Sequence, residues 1–153
     1  MTKTQSYELL LRQLEELLSI ETDSVANMAN MAALLFNELP DLNWAGFYIL
    51  RGNTLVLGPF QGKPACVRIP VGKGVCGTSA QTGETQLVKN VHEFAGHIAC
   101  DSASNSEIVI PIWKEGRVWG VLDIDSPRLA RFDQTDLTYL EKASRIFEAK
   151  SAL

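Results

Sequence analysis

The chain has 153 residues, 46% of them hydrophobic and 21% charged, with a formal net charge of −4. That length suits one domain around one sizeable core, spanning residues 1–153. The acidic balance leaves no electrostatic footprint for nucleic acid, and no run of Lys or Arg marks a membrane surface. The leucine-rich N-terminus is interrupted by Arg12, Gln13, Glu15 and Glu16. It therefore reads as neither a signal peptide nor a spanning segment, and the expected location is the cytoplasm.

From Ser6 to Ile20, leucines at 9, 10, 11, 14, 17 and 18 lay an apolar stripe along a helix. The Glu21–Ser24 turn carries good N-cap residues, and a second helix is predicted from Val25 to Leu39, stopped by Pro40. Together these make an N-terminal helical unit over about residues 5–39. Asn43–Arg51 and Thr54–Phe60 read as strands joined at Gly52-Asn53. Alternation places Trp44, Gly46, Tyr48 and Leu50 on one face and Phe47 and Ile49 on the other. The rings of Trp44 and Tyr48 either pack the sheet or wall a ligand pocket.

Cys66–Val71 is predicted as a short strand. The Gly72–Gly77 stretch then turns into a helix running to about Gln81. It matches neither phosphate-binding nor dinucleotide fingerprints, so its glycines are read as a tight strand-to-helix turn whose N–H groups offer a place for an anion. Glu84–Val88 is another short strand, followed by a long loop over Asn90–Ser106 with a possible helical turn. Ile108–Lys114 and Arg117–Asp125 form a second hairpin across Glu115-Gly116. Phe132 and Asp133 supply a staple and an N-cap for a last helix over about residues 133–151, with Asp136 as an acid in its first turn. The order of elements gives an α+β fold: a mainly antiparallel sheet over about residues 43–126, helices on one face and the long loop as lid on the other.

The chemistry concentrates between His97 and Asp125. Asp123 and Asp125 project from one face of a strand, about 6–7 Å apart, while Leu122 and Ile124 point into the core. Acids inside an apolar strand need water, a partner or a ligand. If the long loop folds over this face, Cys100 and Glu107 join them, with Trp44 and Tyr48 as a wall. The three cysteines, Cys66, Cys76 and Cys100, contain no C-x-x-C pair, and there are only two histidines. A structural zinc site is poorly supplied. The acids point to recognition of an ammonium group and to proton donation. A second thiol, Cys66 or Cys76, points to resolution of an oxidised cysteine as a disulfide. His92 and His97 keep a cysteine hydrolase open as an alternative.

The segments GFYIL, LGPFQGKPAC, IPVGKGVCGTSA, HIACDSASNSEIVIPI and GVLDIDSP resemble the free methionine-(R)-sulfoxide reductases, which are built on a GAF domain. The resemblance covers Trp44–Phe132 closely and the flanking helices loosely. It implies a GAF-like fold in which Cys100 is the nucleophile, Cys66 resolves it, and Cys76 is an accessory thiol. It implies that Trp44 and Tyr48 pack around the methyl-sulfinyl end of the substrate, while Glu107, Asp123 and Asp125 bind it and polarise the sulfoxide. The implied substrate is free methionine (R)-sulfoxide, the implied reductant is thioredoxin or another dithiol, and no prosthetic cofactor or metal is expected. A homodimer is left open. The competing reading is a GAF-type sensor of a small molecule or of redox state, without turnover; that role would call for an effector domain, for which this length leaves little room.

Overall fold

The architecture was obtained as a computed structural model that describes residues 1–98 and 100–153. Ala99, inside one of the quoted segments and the predicted lid loop, lies outside the described residues. Helix α1 spans Lys3–Leu18, starting three residues before the apolar spacing suggested. The reason is a capping box in which Thr2 accepts from the Gln5 N–H and the Gln5 side chain accepts from the Thr2 N–H. Its buried stripe is Tyr7, Leu10, Leu14 and Leu18. Helix α2, Ser24–Glu38, is capped by Asp23 and buries Asn27, Met28, Met31, Ala32 and Leu35. Asn27 is satisfied by donating to the Glu21 carbonyl and to Ser151 Oγ.

Six strands follow the predicted order: β1 (Trp44–Arg51), β2 (Thr54–Gly62), β3 (Arg68–Pro70), β4 (Gln86–Val88), β5 (Ser106–Lys114) and β6 (Arg117–Ser126). They form one antiparallel sheet in the order β3-β2-β1-β6-β5-β4. The β5–β6 turn uses Glu115 and Gly116, both at positive φ, as two-residue hairpins favour. Cys66 does not belong to β3. Only Arg68–Pro70 pairs with β2, and Cys66 sits in the connecting segment. Helix α3 covers Gly74–Thr82 and α4 covers Gln134–Lys150.

The sheet separates two apolar clusters. On one face α1, α2 and α4 pack over Ala45, Phe47, Ile108, Ile110, Ile112, Leu122 and Ile124. On the other, α3 and neighbouring loops cover Trp44, Tyr48, Leu55, Val109 and Val121. The expected α+β plan, with the main helices on one face, therefore holds, and α3 sits on the site face. Among the described residues no helix is long and apolar enough to cross a membrane.

One polar residue ties the helical layer together. Asp136, fully buried, receives the hydroxyl of Tyr7, the ammonium of Lys3 at 2.7 Å and the guanidinium of Arg131 at 3.3 Å. It also completes a capping box with Asp133. The acid expected only as a favourable first-turn charge is thus a hub joining α1, α4 and the segment before α4. Removing one partner of a buried ion pair strands the others. Asp136→Ala is expected to lower the unfolding free energy by about 3–5 kcal/mol in urea titration. A loss under about 1 kcal/mol, the scale of an exposed pair, would show the hub to be dispensable.

Candidate active site

The site grows from strand register. Trp44 lies opposite Asp125 across β1–β6, Gly46 opposite Asp123, and Glu107 opposite Asp125 across β5–β6. Side-chain alternation then turns all three acids and both aromatic rings to the face away from α1, α2 and α4. Gly46 is required by its neighbour: a Cβ there would collide with Cβ of Phe60. The close approach lets Phe60 stack on Trp44 with ring centroids 5.1 Å apart, and Trp44 in turn stacks on Tyr48 at 5.9 Å. Sequence alternation identified the Trp44–Tyr48 pair but missed Phe60, whose strand partner is fixed only by the bulged β1–β2 register.

The two aromatic residues also hold the chain that carries Cys66. Tyr48 donates its hydroxyl to the Cys66 carbonyl at 2.8 Å, and Trp44 Nε1 donates to the Lys63 carbonyl at 3.1 Å. On the opposite rim Asn43 donates to Asp101 Oδ2 and to Ser104 Oγ, both at 3.0 Å, beside Cys100. Asn43 escaped the sequence reading because its partners lie 58 and 61 residues away. Between these two anchored segments Cys66 and Cys100 form a disulfide, with α-carbons 5.4 Å apart. Both cysteines are half-buried. Val91–Glu93 forms a 3₁₀ turn, and the loop then places His97, Ile98, Cys100, Asp101 and Ser104 along the cavity wall, as a lid over this face.

The third cysteine arrives differently. Gly72 and Gly74 take positive φ, and a Cβ on Gly77 would press on the Pro70 carbonyl, so the glycines make the tight entrance to α3. The Gly72 and Lys73 N–H groups are used inside this turn, by the Gly77 and Pro70 carbonyls, and are not free for an anion. The turn buries Cys76 under the sheet, with Sγ 4.0 Å from Glu107 Oε2. Cys76 is the free cysteine, and it is not part of the disulfide.

Glu107, Asp123 and Asp125 are 7%, 6% and 8% exposed, which is rare for carboxyl groups. They line one cavity of about 40 Å³ together with Trp44, Tyr48, Cys76 and Cys100. Burial pushes Glu107 and Asp125 well above the usual carboxyl range, and the neighbouring Asp123 charge pushes them further. Burial raises Asp123 too, but protonated Glu107, Cys76 and Asp125 are placed to donate to it, which restrains the rise. Asp123 is thus the group that keeps a charge most readily, flanked by two carboxyls that hold protons. Burial, then the three acids, also push the Cys76 thiol up, so it stays protonated. His97 is pushed down, first by burial and then by His92. Asp123 Oδ1 has no hydrogen-bond partner among the described residues.

A carboxyl whose folded pKa is raised favours the folded state most below its unfolded pKa, and that contribution is lost as pH rises through the folded value. For Glu107 the loss begins above its ordinary value of 4.5. Glu107→Gln abolishes this titration. The variant is expected to melt higher than the parent at about pH 8, with the gain shrinking as pH falls toward about 4. A difference independent of pH in thermal scans would refute the assignment.

Residues 13–149 match the GAF domain family. The chain is 55% identical over 136 residues to the free methionine-R-sulfoxide reductase of Escherichia coli, covering 89% of this chain and 82% of that protein. The crystal structure of fRMsr of Staphylococcus aureus in its reduced form superposes with a TM-score of 0.92 at 52% identity, covering 94% of each chain. The free methionine-R-sulfoxide reductase of Neisseria meningitidis, in complex with its substrate, superposes with a TM-score of 0.95 at 46% identity, covering 98% of this chain and 90% of that one. With the site already placing two bonded cysteines beside three buried acids on this fold, the chain belongs to the GAF-domain family and, within it, to the free methionine-R-sulfoxide reductases, and it is an oxidoreductase.

Proposed function

We propose that this protein reduces free methionine (R)-sulfoxide to methionine through Cys100, with Cys66 as the resolving cysteine. The observation that carries this reading is the Cys66–Cys100 disulfide, whose Cys100 lines the same cavity as Glu107, Asp123 and Asp125. The Staphylococcus aureus and Neisseria meningitidis relatives, each described in complex with its substrate, support the choice of substrate.

In the reduced protein the Cys100 thiolate attacks the sulfoxide sulfur. The sulfur–oxygen bond breaks, the oxygen passes to Cys100 with a proton, and methionine leaves with its sulfur reduced. Cys100 is then a sulfenic acid. Cys66 attacks it, the sulfur–sulfur bond forms, and the hydroxyl departs as water. An external dithiol, thioredoxin in the cytoplasm, reduces the disulfide by thiol exchange. Both cysteines are only half-buried, which supports access by such a dithiol.

The acids have two tasks in this reading. Asp123 holds the substrate ammonium, which supplies the missing positive charge of the pocket. Glu107 or Asp125, carrying a proton at neutral pH, donates to the sulfoxide oxygen as it becomes basic. Trp44 and Tyr48 pack against the methyl-sulfinyl end. Cys76, buried and protonated, serves as a neutral wall of the pocket more readily than as a relay thiol. The alternative of a sensor without turnover leaves the pairing of Cys66 with Cys100 beside buried proton donors without a chemical use.

Two variants test the scheme. Cys100→Ser is expected to lose about a thousandfold or more of methionine formation while keeping the fold. Full turnover in that variant would end the proposal. Cys66→Ser is expected to release methionine once per protein molecule and then stop, leaving a Cys100 sulfenic acid that a dimedone probe labels. Sustained turnover with thioredoxin in Cys66→Ser would assign resolution elsewhere.

A further inference from the structure

The loop from Asn90 to Asn105 carries Cys100, and its hydrogen bonds show where it is tied. Its base is fastened. The Val91 N–H donates to the Asn105 carbonyl, the Asn105 N–H to the Ser126 carbonyl, and Asn105 Nδ2 to the Pro127 carbonyl at 2.7 Å. Between residues 93 and 104 the hydrogen bonds among the described residues stay inside the loop, apart from those of Asn43. Asn43 Nδ2 donates to Asp101 Oδ2 and to Ser104 Oγ, both at 3.0 Å. Asp101 closes a small turn here, accepting from the Ala103 N–H through Oδ1 and from the Ser104 N–H through its carbonyl. Asn43 is itself fixed to the sheet, because its backbone N–H donates to the Asp125 carbonyl at 3.0 Å. Among the described residues, the chain around Cys100 is thus tied to the sheet side by the Asn43 amide and by the disulfide. The disulfide is absent from half of the proposed cycle. The amide does not change with redox state.

We propose that Asn43 is a positioning residue for the thiol chemistry, holding the 101–104 turn so that Cys100 stays within reach of Cys66 when the disulfide is open. The inference rests on the roles proposed above for those two cysteines. Bringing two groups together on a flexible loop costs conformational entropy. A tie already made beside one of them raises its effective concentration at the other. The tie must be an amide. The Ala103 N–H, and then the Asn43 side chain, hold the Asp101 carboxyl below the usual range, so it accepts and does not donate. Nδ2 has two protons, and the two acceptors take both. Asn43→Asp keeps the shape, removes the donor and sets one carboxylate against another. Asn43 is not among the residues lining the cavity, so it acts through the loop and not on the substrate.

The test equilibrates the full chain, at pH 8, with dithiothreitol and its cyclic disulfide. Exchange converts Cys66 and Cys100 into two thiols and the reductant into its disulfide, so the ratio measures how readily the pair closes. Asn43→Asp is expected to make the protein disulfide about tenfold easier to reduce, a shift of about 30 mV for this two-electron couple. Asn43→Asp combined with Asp101→Asn exchanges donor and acceptor, and is expected to return to within about threefold of the parent. After one equivalent of methionine sulfoxide, Asn43→Asp is expected to close the disulfide about tenfold more slowly, leaving a Cys100 sulfenic acid for dimedone to trap. Circular dichroism reports folding, and Asp101→Ala breaks the same tie if Asn43→Asp fails to fold. An unchanged exchange equilibrium in a folded variant overturns the proposal. So does an exchanged pair that does no better than Asn43→Asp alone. A residue that serves only the fold lowers the melting temperature and leaves that equilibrium where it was. Failure of the catalytic reading looks different: the parent protein releases no methionine, while the exchange equilibrium, which needs no sulfoxide, still responds to Asn43→Asp.

Discussion

Three carboxyl groups share one buried face of the sheet, and their burial without a paired lysine or arginine governs the rest of the site. No lysine or arginine is paired with Glu107, Asp123 or Asp125 among the described ion pairs. Such a cluster cannot be fully ionised in a low-dielectric setting, so protons partition between the acids. Cross-strand register decides the partition. Glu107 faces Asp125 directly, and Asp123 stands two pairs along opposite Val109, where it is the common acceptor. The same crowding keeps Cys76 protonated. The space between these groups therefore holds one ready acceptor and two proton-bearing carboxyls.

The cysteine pair is held by a second, separate set of contacts. Trp44 and Tyr48 grip the 63–66 segment through its carbonyls, and Asn43 grips the 101–104 segment through side chains. All three anchoring residues lie in β1 or just before it, on the same stretch of chain. The aromatic wall of the pocket and the positioning of the disulfide are therefore one device. On the far side of the sheet, Asp136 holds α1 and α4 together, and the apolar cluster of α1, α2 and α4 supplies the rigidity behind both.

Much of this was legible in the residues alone. The 3.6-residue spacing of Leu10, Leu14 and Leu18 and of Met28, Met31 and Leu35 fixes the buried faces of α1 and α2, because helical side chains repeat with that period. The two-residue alternation of β1 and β6 assigns Trp44, Tyr48, Asp123 and Asp125 to one face and Phe47, Leu122 and Ile124 to the other. Periodicity also bounds both hairpins. Such patterns are local, and a single strand or helix suffices to display them. The pairing of Cys66 with Cys100 was not derivable this way; it was an expectation from family resemblance.

What only the tertiary structure decided is everything that depends on distance between segments. Cys66 was expected inside a strand and lies just outside β3, where it is free to meet a cysteine 34 residues on. Asn43 and Phe60 carry no local mark of their roles, and Asp136 shows only its place in the first turn of α4, since the partners Tyr7 and Lys3 come from another element. Cys76 and Glu107, 31 positions apart, meet only because α3 folds onto the site face. A sequence determines which face a side chain takes, because that follows from bond geometry within one element. It does not by itself display which faces meet, because that follows from the packing of the whole chain around one core.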